Sequence, residues 1–165
     1  MVVVKASEFE DFVLGSSSAL FRMAMLLVGE RSDAQDLLQT AYERTLRHWN
    51  TASAGDPTAY ARRALANAAT DSWRRRIAFA RLPRLPVGSV TDADAFLAVE
   101  THDVLIQGLL QLPARQRTVL VLRYWEDLSE ESTAETMGCS VGSVKSQASR
   151  GLSQLRASFT TTPLI

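Results

Sequence analysis

Residues 81–88 run Arg-Leu-Pro-Arg-Leu-Pro-Val-Gly, and neither a helix nor a strand accommodates that stretch. Each proline removes a backbone donor and biases the residue before it away from helix, and the glycine favours a turn. The acidic tract that follows, to Glu100, has no base to offset it. Residues 81–100 are therefore expected to form an extended linker. The chain divides there into a piece of about 80 residues and one of about 60, each the size of a very small domain.

Both pieces carry helical periodicity, and no convincing alternating strand appears. Residues 7–28 place Phe9, Phe12, Val13, Leu20, Met23, Leu26 and Leu27 at spacings that suit one long helix, or one broken around Gly15-Ser-Ser-Ser18. Ser32-Asp-Ala-Gln35 has the form of a capping box. The helix it opens carries Ala34, Leu37, Leu38, Ala41, Tyr42, Thr45 and Leu46 at helical spacing, to about Trp49. Asp56-Pro57 supplies an N-cap and an N1 proline for a third helix to about Ala80. After the linker, helices are expected over 101–111, from Pro113, from Ser129, and from Val141 to about Phe159. Val119-Leu-Val-Leu122 is apolar but lies inside a helical pattern. The expected fold is all-α, with domains over 1–80 and 101–160. No internal repeat is evident.

Composition excludes several classes. The single cysteine, Cys139, rules out an internal disulfide, and His48 and His102 are too far apart in sequence to build a metal cluster with it. No cofactor or metal site is expected. The chain's start lacks the basic region, apolar stretch and cleavage site of a signal peptide, and no apolar run is expected to reach the roughly 20 residues of a membrane span. The expectation is a cytoplasmic protein. The formal net charge of zero conceals a segregation. Residues 57–86 carry net +6 and residues 138–156 net +3, whereas 1–56, 87–112 and 113–137 are acidic. Two separated basic zones imply two contacts with a polyanion and leave acidic surface for another partner.

Each basic zone holds a constellation. In the third helix Ala61, Ala64, Leu65, Ala68 and Ser72 share one face, and Arg63, Asn67, Thr70 and Arg74 share the opposite one. Guanidinium groups bind phosphates, Asn reads a base edge, and Thr contacts either. Arg74-Arg75-Arg76 follows, with Trp73 and Phe79 beside it, Trp73 being expected in the domain core rather than as a base-stacking platform. In the second zone, a short helix from Ser129 ends at Gly138, suited to a positive φ, and Ser140 can cap the next helix. There Val141, Val144, Ala148, Leu152 and Leu155 make a buried stripe opposite Gly142, Ser146, Ser149, Arg150 and Ser153, with Lys145 at the flank. This is the pattern of a helix-turn-helix, whose second helix enters the major groove.

Gly138-Cys-Ser-Val-Gly142 also matches the G-x-S-x-G elbow of serine hydrolases. That elbow follows a strand, while 129–137 is helical in pattern, and no Asp, Glu or His follows Ser140. The match is accidental and no catalytic residue is assigned. Cys139 is expected to be a small buried turn residue, and His102 to lie near a helix start.

Leu112-Pro-Ala-Arg-Gln-Arg117, Tyr124-Trp-Glu-Asp-Leu-Ser129, Gly138-Cys-Ser-Val-Gly-Ser-Val-Lys-Ser146 and Ser149-Arg-Gly-Leu152 resemble domain 4 of sigma-70-family factors. Asp33-Ala-Gln-Asp-Leu-Leu-Gln39, Asp56-Pro-Thr-Ala-Tyr-Ala-Arg-Arg63, Asn67 and Trp73-Arg-Arg-Arg76 resemble domain 2. The wording is similar to the extracytoplasmic-function group, which keeps only these two domains, and within it to an actinobacterial subgroup. The resemblance implies a sigma factor that binds core RNA polymerase and melts promoters without catalysis of its own. It implies that Asp33, Asp36, Leu37 and Gln39 bind the clamp helices of the polymerase's largest subunit, and that domain 4 meets the flap. Arg63, Asn67, Thr70, Arg74, Arg75 and Arg76 would take the −10 element, with a base flipped out of the stack. Lys145, Ser146, Gln147, Ser149 and Arg150 would read the −35 element, and the acidic linker would thread towards the active-site cleft. An anti-sigma partner is typical of the group. Gln35 and Thr40 stand where the group usually has acids, and Gly151 where it usually has Ala. The other class the residues admit is a free-standing helix-turn-helix regulator, which leaves the 33–39 helix and the Arg63/Asn67 face without a role.

Overall fold

The computed structural model describes residues 2–79 and 100–161, with side chains described over 6–72 and 103–160. The proposed linker and the side chains of Trp73, Arg74, Arg75, Arg76, Phe79 and His102 lie outside the described residues. Four helices precede the gap: α1 (Val2–Val28), α2 (Arg31–Arg47), α3 (Trp49–Ala54) and α4 (Pro57–Phe79). Four follow it: α5 (Glu100–Leu110), α6 (Ala114–Leu120), α7 (Glu130–Met137) and α8 (Val141–Thr161), with a π-helical turn at Val121–Trp125 extending α6. No strand occurs among the described residues, and the fold is all-α as expected.

Helix α1 is continuous; Gly15 and the serines do not break it. The Ser16 hydroxyl back-bonds to the Phe12 carbonyl at 2.7 Å and meets the Tyr42 hydroxyl at 2.9 Å, which satisfies a polar group facing α2. The helix ends at Gly29, whose φ of +77° closes the last turn. By length and composition Ala6–Val28 is apolar enough to cross a membrane, with mean hydropathy 1.4. This corrects the expectation that no run approaches that length: the three serines hardly dilute the apolar residues around them. In the fold, Leu20, Met23, Ala24, Leu26 and Leu27 of this helix are buried against α2 and α4.

Side-chain capping starts α4, α7 and α8, but not α2, α3 or α6. The Asp56 carboxylate accepts from the backbone N–H of Thr58 at 2.9 Å and of Ala59 at 3.2 Å, which starts α4. Ser32, by contrast, caps nothing. Helix α2 begins two residues earlier, with Glu30 as N-cap, and the Ser32 hydroxyl donates instead to the Glu30 carboxylate at 2.6 Å. Trp49 opens the short α3 rather than closing α2, and joins Phe9, Phe12 and Tyr42 in an aromatic cluster, its ring edge-on to Phe9 at 5.2 Å.

The two halves share one core. Ile106, Leu109, Leu112, Leu120, Val121 and Leu122 belong to the same buried cluster as Leu20, Leu26, Leu37 and Leu65. A smaller cluster of Val119, Ala134 and Val144 ties α7 and α8 to α6. Polar contacts also bridge the halves. Arg117, only 8% exposed, donates to the carbonyls of Leu27 (2.6 Å), Leu109, Leu110 and Leu112. Arg62 of α4 donates to the Glu126 carboxylate at 2.8 Å. The π turn places that carboxylate. Its i→i−5 bond, from the Glu126 N–H to the Val121 carbonyl at 3.0 Å, adds a residue to the last turn, and Tyr124 and Trp125 project outward.

Candidate nucleic-acid interface

Helix α4 presents two faces as the periodicity demands. Ala61, Ala64, Leu65 and Ala68 are buried, while Arg63 and Asn67 are exposed. Ala66 and Ala69 are buried as well, so α4 is covered over more of its circumference than the stripe alone predicts. Alanines leave little side chain between packed backbones, which lets α4 be enclosed by α1, α2, α3, α6 and α7 at once. Thr70 is half-buried and its hydroxyl is engaged with the Ala66 carbonyl at 3.1 Å. Asn67 and Thr70 line a polar cleft of about 370 Å³ with Arg44, Asp71, Arg115 and Met137. Arg44 and Asp71 pair across it at 3.5 Å. Cations, an amide and a hydroxyl around an open polar cleft suit a nucleotide's phosphate and base edge.

The second site has the helix-turn-helix form. The Ser129 hydroxyl accepts the Ser132 N–H at 3.0 Å and starts α7. The neighbouring Glu131 carboxyl is held below the usual carboxylate range by its own backbone N–H and by the Ser129 hydroxyl, with Lys145 and Arg123 adding to the effect. Gly138 adopts φ +62°, ψ +41°, and the Cys139 N–H returns to the Ala134 carbonyl at 3.0 Å. The Ser140 hydroxyl then accepts the Ser143 N–H at 3.1 Å and starts α8. A helix precedes Ser140 where a hydrolase elbow has a strand. Cys139 is partly buried in the turn.

Along α8, Val144 is fully buried and Val141, Ala148, Leu152 and Leu155 are partly so. Ser146, Ser149 and Arg150 are exposed together, and Gln147 is half-buried at their edge. Lys145 is exposed but pairs with Glu130 of α7 at 3.5 Å, so its charge is partly compensated before any phosphate approaches. Gly151 is buried where α8 crosses α6: a Cβ there would stand 3.1 Å from Leu120 Cδ1 and 3.2 Å from its Cγ.

Helix α2 gives mixed placements. Asp36 and Gln39 are exposed, Gln39 donating to the Glu43 carboxylate at 3.2 Å, and Asp33 is half-exposed. Leu37 is only 5% exposed and belongs to the core, so it supports this surface from beneath rather than offering a contact. Reading charge and spacing missed the apolar groove alongside. Phe9, Val13, Leu38, Tyr42 and Leu46 line about 390 Å³ bordered by Gln35, Gln39 and Glu43. Leu46 is 51% exposed. The available signal was the width of the stripe: Leu37 is buried in the core, while Leu38 beside it is only partly covered and lines the groove. Burial raises the Tyr42 phenol above its ordinary value, against the opposing hydrogen bond to Ser16.

Comparisons with known proteins find a family for each half of the chain. The family described as "Sigma-70 region 2" matches residues 16–77, and "Sigma-70, region 4" matches 102–155. The chain is 41% identical to an RNA polymerase sigma-E factor of Streptomyces avermitilis over 153 residues, 90% of this chain and 83% of that one. It is 31% identical to the ECF RNA polymerase sigma factor SigM of Mycobacterium tuberculosis over 142 residues, 82% of this chain and 69% of that one. Among solved structures, the sigma factor RpoE of Bartonella quintana, crystallised with the anti-sigma factor NepR, superposes with a TM-score of 0.70 at 22% identity. The match covers 93% of this chain and 97% of that one, and it shows the same fold. With region 2 ahead of region 4 and this likeness to sigma-E and to an ECF factor, the protein belongs to the extracytoplasmic-function group of the sigma-70 family, RNA polymerase sigma factors that act in transcription initiation.

Proposed function

We propose that the two exposed polar faces divide promoter reading between them, and that neither performs chemistry. The α4 face, with Arg63, Asn67 and Thr70 and continuing to Arg74, Arg75 and Arg76, takes the −10 element once strands part. The α8 face, with Ser146, Gln147, Ser149 and Arg150 and with Lys145 at its flank, reads the −35 element in the major groove. Asp33, Asp36 and Gln39 meet the clamp helices of core polymerase, with Leu37 holding their helix in place, and the C-terminal domain meets the flap. The corresponding units are 1–80, a linker over 81–100, and 101–160. The protein works in the cytoplasm, polymerase supplies the catalysis, and an anti-sigma factor is a partner of the kind that RpoE of Bartonella quintana has.

One observation carries this reading: Asn67 and Arg63 on one helix, and Ser146, Ser149 and Arg150 on another, are exposed on faces whose opposite sides are core. The test uses a promoter selected with the reconstituted holoenzyme. Arg150→Ala should cost roughly 1–3 kcal/mol of −35 discrimination, so transcription falls on an intact −35 element far more than on a scrambled one. Asn67→Ala should slow open-complex formation, and a pre-melted −10 bubble should not restore it, because the base it holds is available only after melting. Equal loss of duplex docking in both variants would contradict the division. Full rescue of Asn67→Ala by the bubble would limit Asn67 to strand separation.

A further inference from the structure

We propose that Glu130 of α7 fixes Lys145 of α8 as a base-reading group of the −35 face and withholds its charge from the phosphates. The inference deepens the promoter reading proposed above and rests on it. An acid on the first helix of the helix-turn-helix then sets how sharply the second helix discriminates sequence. Position along α8 suits Lys145 to bases. It lies in the second turn, four residues before Ser149 and so on the same side of the helix. In a helix-turn-helix the N-terminal residues of the recognition helix are those that meet base edges. Gly142, three residues before Lys145, is exposed, and a Cβ there would meet only the Ser140 hydroxyl oxygen, at 3.9 Å. That end of α8 is open to close approach by a groove.

An unrestrained lysine at this position would favour the backbone. Its ammonium rides on a flexible four-carbon stem, and the phosphates flanking a groove attract it whatever the sequence. Glu130 changes that balance. Its carboxylate holds the Lys145 Nζ at 3.5 Å, with 34% of the Glu130 side chain and 62% of the Lys145 side chain exposed. Glu130 is the first residue of α7, and the left-handed Gly138 and the Ser140 cap fix how α8 departs from that helix. Val144, beside Lys145, is fully buried with Val119 and Ala134, which pins the backbone from which the lysine stem leaves. The neighbouring Glu131 is no substitute, since its carboxyl is engaged by its own backbone N–H and by the Ser129 hydroxyl. An ammonium has three donors. One can stay with Glu130 while the others meet the O6 and N7 acceptors of a guanine, a pairing that lysine makes in the major groove. Swinging out to a phosphate costs the Glu130 contact, whereas turning into the groove keeps it.

The test measures binding of the reconstituted holoenzyme to promoter duplexes with an intact and with a scrambled −35 element, across a salt series. An exposed pair is weak, so the expected changes are modest. Glu130→Gln should tighten binding to the scrambled duplex about threefold and steepen its salt dependence by about one charge, while the intact duplex is bound no better. The preference for the intact element should therefore fall about threefold. A loosened α7 could not produce tighter binding. In a Lys145→Gln background, Glu130→Gln should change neither affinity nor salt dependence, because the charge it restrains is gone. If Glu130→Gln tightens the scrambled duplex equally with and without Lys145, Glu130 acts by repelling phosphates directly and the inference fails. It fails too if the single variant tightens both duplexes alike, or neither. Arg150→Ala is the reference for the underlying reading. If that variant keeps full −35 discrimination, the α8 face is misassigned and the inference falls with it. If Arg150→Ala loses discrimination while Glu130→Gln does not, the promoter reading stands and the role of Glu130 is overturned.

Discussion

Two residues show how much a single position decides here. Arg117 satisfies four carbonyls that would otherwise lie buried without that donor, Leu27, Leu109, Leu110 and Leu112. Replacing it with Leu fills the space but removes every one of those bonds; the Leu109 carbonyl keeps the Leu112 N–H at 3.1 Å, and each carbonyl left without a donor retains its desolvation cost. Arg117→Leu should therefore lose on the order of 3 kcal/mol in a urea melt. A loss under half that would show the carbonyls finding other donors. Gly151 is the converse case. Gly→Ala in an open helix gains about 1 kcal/mol, but here the new methyl meets the side chain of Leu120, itself only 4% exposed. Gly151→Ala should be neutral or destabilising, and a gain of the full open-helix value would mean that α6 and α8 separate without resistance. The sequence showed that Gly151 departs from its group; only the helix crossing supplies the reason. Arg117 was legible merely as one more base, because nothing in a linear pattern reveals which carbonyls a folded chain leaves without partners.

At the scale of the element, the sequence was a good guide wherever a local interaction sets the boundary. Asp56, Ser129, Gly138 and Ser140 act as their positions predict, because a cap depends only on the next two or three residues. Ser32 fails for a competing local reason: the Glu30 carboxylate, two residues back, takes its hydroxyl and itself stands at the N-cap position. The π turn was not legible, since it arises from α6 having to turn Glu126 towards Arg62 while keeping Val121 and Leu122 buried. Helix α2 offers the test at this scale. Asp36 is exposed, so Asp36→Arg should leave the circular dichroism spectrum and melting temperature unchanged while weakening binding to core polymerase about tenfold or more through like-charge repulsion. Unchanged co-purification would move the polymerase contact elsewhere, the neighbouring groove around Leu38 and Leu46 being the next surface to probe. Leu37→Asp is unsuitable for that purpose: it would put a carboxylate into the core and report on stability instead.

For the whole molecule, charge segregation and the Pro-containing break were enough to divide the chain into two helical units with two polyanion-facing zones. They did not reveal that the units share a core, because the apolar residues at the seam, Leu109, Leu112 and Leu120 among them, are indistinguishable in sequence from residues of a private core. The candidate faces were legible where alternation with a buried stripe fixes them, as for Asn67 and Arg150, and illegible where tertiary packing intervenes, as for Thr70, Lys145 and Leu37. On the proposed function, this chain confers promoter selection on core polymerase and does little alone. The direct measurement is run-off transcription by core RNA polymerase on a pool of linear DNAs bearing randomised upstream sequence, with and without the chain, mapped to the starting nucleotide. Adding the chain should produce transcripts beginning at discrete positions below a shared pair of elements, while the chain alone should show only weak, salt-sensitive binding to the same duplexes. Tight, sequence-specific duplex binding by the chain alone at physiological salt, with no discrete start sites when polymerase is added, would contradict it.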